Sequence, residues 1–236
     1  MSAEATEAAE VLDNPVWAAL TGPHRGFAEY GPAGLAARYT GDTAPWAGLS
    51  DPEDPRAWAD LAELAGPGEE VWLTGLPTPP PGWEPVLTLP GVQLDGRAVR
   101  AEAAPEAVRL GPGDVPEMLE LVELTRPGPF LDRTVELGTY LGIRHEGRLV
   151  AMAGERMRPP GWSEISAVCT HPEHRGRGVA ARLIRAVALA VRERGDVPFL
   201  HAAAANTSAV RLYEAMGFTL RREPVFLGLR TPAKRA

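Results

Sequence analysis

The chain has 236 residues, a formal charge of −7 and a single cysteine. Its length can bury a sizeable core as one large domain or two small ones, and its acidic balance argues against a general nucleic-acid binder. Cys169 alone cannot form an internal disulfide, which fits a reducing cytoplasm, and no apolar run approaches the ~20 residues that span a membrane.

The opening MSAEATEAAE is acidic and lacks an apolar centre, so it does not read as a signal peptide. Helical spacing is predicted in NPVWAAL (14–20) and DPRAWADLAELAG (54–66). In the second, Asp54 can cap, Pro55 suits the first helical position and Gly66 stops the helix. Strand-like runs follow at 70–75, 84–94 and 97–103. LPTPPPGW (76–83) reads as a turn-rich loop. Trp17, Trp46, Trp58 and Trp72 are expected to build the core of this region or its contact with the rest, with a substrate-binding wall as the alternative.

The pattern becomes cleaner after residue 105. A strand is expected over 107–114, a helix over 115–125, a hairpin over 138–157 turning at His-Glu-Gly, and a strand over 163–170. A helix is predicted from Gly176 to Arg194, because Val179, Leu183, Val187 and Val191 repeat every four residues and Gly195 ends it. A strand over 197–205, a short helix over 206–217 with Asn206 as cap, and a strand or bent hairpin over 218–229 complete the order. These elements give an α/β or α+β class with a mixed sheet flanked by helices. The expected division is an N-terminal α/β region, 1–105, and a second domain, 106–236. Helix-then-strands recurs in both, so the first is read as a possible degenerate duplicate.

THPEHRGRGVA (170–180) joins a strand to the long helix. A helix N-terminus presents free N–H groups and partial positive charge, Gly176 and Gly178 remove side chains, and Arg175 and Arg177 add formal charge. This composition suits a phosphate or pyrophosphate; an exposed arginine-rich turn is the plain alternative. A P-loop would need Gly-Lys-Ser/Thr, which is absent, and a dinucleotide fingerprint would need a third glycine where Ala181 stands.

VCTHPEHRGRGVAARLI resembles the acyl-CoA motif of the GNAT superfamily of N-acyltransferases, with Arg175-Gly176-Arg177-Gly178-Val179-Ala180 matching Gln/Arg-x-x-Gly-x-Gly/Ala. NTSAVRLYEAMGF resembles the family's second signature through Asn206, Ala209, Tyr213, Gly217 and Phe218. The resemblance covers about residues 108–229, and the layout is similar to that of glycine N-acyltransferases, whose acyltransferase domain is C-terminal. It implies a GNAT fold and acetyl-CoA as cosubstrate. The pyrophosphate would lie on the backbone from Gly176 to Ala181, and the pantetheine arm along Val168, Cys169 and Thr170, with Asn206 nearby. It also implies transfer of the acetyl group to a primary amine in a ternary complex. The charge balance, the short apolar runs and the lack of metal-ligand spacing lead us to expect no nucleic acid, membrane or metal as partner. A non-catalytic acyl-CoA-binding sensor is the alternative.

The resemblance makes Tyr213 the candidate acid for the departing thiolate, against a core-packing tyrosine. Glu164, eleven residues before Arg175, is the candidate base, with Glu155 as fallback. A nucleophilic Cys169 is disfavoured, since His171 and His174 lie beyond the strand. His201 reads as a core histidine that could alternatively face the acceptor. No Cys/His/Asp cluster has metal-ligand spacing.

Overall fold

The computed structural model describes residues 11–75 and 79–233. The acidic opening segment and the first three residues of the 76–83 loop lie outside them.

The chain begins with α1 (Pro15–Thr21), a meander β1 (Ala28–Tyr30), β2 (Ala36–Tyr39) and β3 (Ala47–Leu49), α2 (Pro55–Ala65), β4 (Glu70–Thr74) and the long β5 (Glu84–Asp95). The caps of α2 act as their chemistry suggests. Asp54 accepts from the Arg56 amide, Pro55 opens the helix, and Gly66 ends it at φ +90°. The strand expected over 97–103 does not form. Arg97 is drawn back onto Asp95 through its amide and guanidinium, and Val99 is buried against the core from an irregular segment.

The second part supplies β6 (Val108–Leu110), α3 (Val115–Thr125), β7 (Tyr140–His145), β8 (Arg148–Glu155), β9 (Trp162–Thr170), α4 (Val179–Glu193), β10 (Val197–Ala203), α5 (Thr207–Ala215), β11 (Thr219–Arg222) and β12 (Val225–Arg230). On α4, Leu183, Val187 and Val191 are fully buried and Val179 nearly so, so the four-residue repeat marks the face that packs on the sheet.

Helix, three antiparallel strands, helix and parallel strand occur in this order twice: α1 to β4, and α3 to β10. The parallel step is a single bridge, Trp46 to Trp72, in the first half and three pairs between β9 and β10 in the second. The last strands of the two halves are exchanged. β5 lies beside β10, β12 lies beside β4, and the two meet antiparallel in one sheet ordered β4-β12-β5-β10-β9-β8-β7-β6. The expected boundary at residue 105 therefore separates segments that share a sheet. An apolar cluster of Leu12, Val16, Tyr39, Trp46, Trp162, Phe199 and Phe226 seals the halves together.

β9 and β10 pair only over 162–164 and 197–199. Beyond Phe199, β10 is held by β5 on its far edge, through Ala203. The two strands thus diverge, leaving 165–170 and 200–203 facing each other across a wedge. β9 also carries a bulge. Met152 pairs with Cys169 but Gly154 pairs with Ser166, and the extra residue, Ala167, sits at φ +51°.

Candidate active site

The wedge opens at its wide end onto the Gly-rich turn. After β9 the chain makes a short turn at Pro172–His174, Gly176 and Gly178 adopt φ +74° and +69°, and α4 starts at Val179. Both glycines are in the left-handed region that disfavours side chains. A Cβ at Gly176 would meet nothing within 4 Å, and one at Gly178 only the Arg182 guanidinium at 3.6 Å. Their role is thus to shape the backbone and expose it, while the first-turn N–H groups of α4 have no intrahelical acceptors. Arg175 and Arg177 are exposed and point back to the Thr170 and Glu173 carbonyls. Thr170 Oγ1, at the wide end of the wedge, is buried without a partner among the described residues.

The first half shows what such a turn becomes without this chemistry. Ser50-Asp51-Pro52-Glu53-Asp54 stands between β3 and α2 as Thr170-His171-Pro172-Glu173-His174 stands before α4. Asp51 and Asp54 stand there where His171 and His174 do, the helix starts at once so that no counterpart of residues 175–178 precedes it, Pro55 removes an N–H, and Asp54 occupies the next amide. The head of α4, by contrast, carries no side-chain cap.

Tyr213 lies on α5, 8 % exposed, with its ring edge-on to Phe218 at 5.9 Å. Burial pushes its hydroxyl up to about 12. It shares an apolar cluster with Leu183, Ile184 and Leu200, and Val168 of β9 packs against that cluster. Asn206 caps α5, its Oδ1 accepting from the Ala209 amide at 3.3 Å and from Ser208 at 3.1 Å. Cys169 points to the opposite face, toward Tyr140 and Met152, and burial pushes its thiol up to about 11, the setting of an inert thiol.

The expected base, Glu164, does not have the setting of one. It is fully buried, takes two hydrogen bonds from Arg156 at 2.6 and 3.0 Å, and accepts from His201 Nδ1 at 2.9 Å. Burial opposes its charge, but Arg156 and His201 outweigh that and hold it at about 2. A carboxylate so stabilised has little tendency to take a proton. The fallback, Glu155, is likewise engaged, by Arg194, by Ser163 Oγ at 2.5 Å and by the Thr139 amide at 2.8 Å. Burial is again outweighed, and its carboxyl stays below the usual range.

His201 is satisfied at both nitrogens. Gln93 Oε1 accepts from Arg221, and Gln93 Nε2 donates to the Leu12 carbonyl at 2.9 Å. An arginine cannot accept and a carbonyl cannot donate, so the amide orientation is determined. Gln93 Nε2 therefore donates to His201 Nε2 at 3.0 Å, and His201 Nδ1–H donates to Glu164. Trp46 covers this network, its ring 5.1 Å from the Arg156 guanidinium carbon. Sequence reasoning missed Arg156, Gln93 and Trp46 as one unit, because they come from three separate strand regions.

A cavity of about 520 Å³ opens beside Glu155, Arg158 and Arg194. It lies at the C-terminal end of α4, whose fifteen residues put it ~20 Å from the Gly-rich turn, so it is separate from the wedge. Among the described residues no His/Cys/Asp/Glu group could hold a metal ion, and no helix is long and apolar enough to cross a membrane.

A GNAT-family protein from Novosphingobium aromaticivorans, described as a candidate acetyltransferase, is 42 % identical to this chain in its crystal structure. The match covers 95 % of this chain and 99 % of that one, with a TM-score of 0.83. The chain belongs to the GNAT family. The family model described as FR47-like protein matches residues 140–227, from β7 into β12. The chain is also similar to the N-alpha-acetyltransferase RimI of Mycobacterium tuberculosis, at 37 % identity over 34 % of this chain and 51 % of the relative. Similarity to the mycothiol acetyltransferase of Thermobispora bispora is 41 %, over 35 % of this chain and 27 % of the relative. The chain thus spans about half of one curated relative and about a quarter of the other. As a GNAT-family chain, its mixed sheet and flanking helices are those of the GNAT fold.

Proposed function

We propose that this protein is an acetyl-CoA-dependent N-acetyltransferase acting on a primary amine, direct transfer occurring in a ternary complex. The observation that carries this reading is the pair of left-handed glycines, 176 and 178, at the head of α4 where β9 and β10 part. In this reading the amides from Gly176 to Ala181, with Arg175 and Arg177, hold the pyrophosphate. Val168, Cys169 and Thr170 supply backbone to the pantetheine arm, Cys169 through its main chain alone. Thr170 Oγ1 supplies a further hydrogen bond. Asn206 contributes by capping α5 and thereby placing Tyr213.

The amine nitrogen attacks the thioester carbonyl, the C–S bond breaks and an amide forms. One amine proton is lost and the sulfur gains one. Tyr213 gives the departing thiolate its proton. Glu164 and Glu155 act as anchors of Arg156, His201 and Arg194, and the amine proton leaves to water. The acceptor amine must then arrive in its neutral form, so kcat/KM for the acceptor rises with pH toward that amine's own pKa.

The name of one relative, the N-alpha-acetyltransferase RimI, supports an amine acceptor; the likeness to glycine N-acyltransferases is one of layout, and glycine is not singled out. We place the activity in the cytoplasm. Release of thiol from acetyl-CoA, measured against amino acids, polyamines, aminoglycosides and peptides, tests the proposal. An acyl-CoA sensor would bind CoA and release no thiol with any of them.

A further inference from the structure

Tyr140 on β7 is 1 % exposed, and its hydroxyl has no hydrogen-bond partner among the described residues. Buried hydroxyls are nearly always paired, so an orphan calls for a reason. Phenylalanine would fill the same space without leaving a polar atom unpaired.

The placement of the ring is specific. Tyr140 pairs with Gly154 on β8, and Gly154 pairs with Ser166 on β9. A Cβ at position 154 would collide with the Tyr140 ring. The ring therefore lies across β8 at the one residue that leaves room for it, directed at β9 where the bulge begins. It packs in the same cluster as Ala167 and Cys169, on the face opposite α4 and Tyr213. Glu164 and Arg156 act on it electrostatically, and burial raises its hydroxyl. Besides Thr170 Oγ1, a third buried polar atom without a partner among the described residues, Trp46 Nε1, belongs to the ring that covers Arg156. What covers the Tyr140 ring is Phe130, 5.6 Å away, from the irregular segment between α3 and β7 rather than from a helix or strand.

This inference rests on the proposed acetyl transfer. A pantetheine arm entering at Thr170 and following β9 for four residues advances ~13 Å, which brings the thioester to Ser166 and Ala167. We infer that Tyr140 is an acceptor-side residue whose hydroxyl oxygen accepts a hydrogen bond from the attacking amine. It holds the amine beside the β9 bulge, with its lone pair toward the thioester carbonyl. Donor and acceptor contacts then divide by face: Tyr213 on the α4 side serves the leaving sulfur, and Tyr140 on the other serves the amine.

The test is Tyr140→Phe, assayed with glycinamide, spermidine and an alanine-headed pentapeptide as amines. A positioning contact predicts kcat/KM for the amine reduced about tenfold or more, CoA affinity within about twofold of wild type by calorimetry, and a Tm equal to or above wild type. A hydroxyl that serves only packing would show the same Tm behaviour with unchanged kcat/KM, and that result overturns the inference. Weakened CoA binding in the variant also overturns it, by assigning the hydroxyl to the donor side. A wild type that binds CoA but acetylates none of these amines, or that binds no CoA, refutes the underlying reading and the role of Tyr140 with it. An active wild type beside a Tyr140→Phe protein of unchanged kcat/KM refutes the role of Tyr140 alone.

Discussion

Replacing Glu164 by Gln separates an anchoring carboxylate from a catalytic one. The exchange keeps the shape and removes the charge. The amide oxygen can still take Arg156 Nη2 and His201 Nδ1, but the amide nitrogen then faces Arg156 Nε, donor against donor. Arg156 is 8 % exposed at the side chain and Glu164 is 0 %, so water cannot compensate the orphaned cation. Breaking a buried pair on one side costs about 3–5 kcal/mol. For a chain of this size that lowers Tm by roughly 6–20 °C, at about 2–4 °C per kcal/mol. Thermal unfolding followed by circular dichroism measures the shift, and kcat measured well below the variant's Tm isolates the chemistry. We expect a large loss of stability and a kcat within about tenfold of wild type, with an unchanged pH profile. Arg156→Met combined with Glu164→Leu should recover part of the lost stability, since the uncompensated charge is gone. A Glu164→Gln protein that melts like wild type yet loses more than about a hundredfold in kcat would refute the anchoring account and restore Glu164 as the base.

Tyr213→Phe should slow the chemical step by roughly 10- to 100-fold with little change in KM for acetyl-CoA, measured by single-turnover kinetics; a wild-type rate would leave Tyr213 as a packing residue. His24 is buried, donating to the Leu137 carbonyl and accepting from Tyr39, and burial lowers it from 6.5 to about 4. Between those pH values the unfolded chain binds a proton that the folded chain does not. Stability should therefore fall as pH drops from 6.5 to 4, by up to about 3 kcal/mol. Urea titrations across that window check this, and His24→Gln should flatten the slope; an unaltered slope refutes the assignment. Residues 106–236 alone should fail to fold, because β10 and β12 lose β5 between them; a cooperative thermal transition in that fragment would contradict the strand exchange.

Local chemistry was legible where one stretch of chain decides the outcome. The Asp54-Pro55 start and Gly66 stop delimit α2, and the four-residue apolar repeat locates α4. The hairpin 140–155 follows from alternation around a turn, and the glycines at 176 and 178 adopt the left-handed conformations that only their lack of a side chain makes cheap. What stayed hidden depends on distant partners. β5 reads as an ordinary strand, and nothing in it says that it crosses to β10. The bulge falls on Ala167, a residue without the glycine that would have marked it. Glu164 looked like a base because spacing reports position and not company; Arg156 and His201, which suppress its basicity, approach from other strands. Nothing in the sequence singles out Tyr140, because its missing partner is visible only in three dimensions.

The central claim is that the turn at 175–181 binds the pyrophosphate of CoA. Calorimetric titration of CoA into the wild-type protein and into Gly178→Val tests it most directly. With Gly178 at φ +69°, a β-branched side chain must strain or move the backbone at the head of α4, which is exposed and otherwise uncrowded. The account predicts one CoA per chain, because the acidic turn before α2 cannot hold a second. It also predicts affinity at least about tenfold weaker in the folded variant, ~1.4 kcal/mol. Equal CoA affinity in wild type and folded Gly178→Val, or two sites per chain, would contradict it.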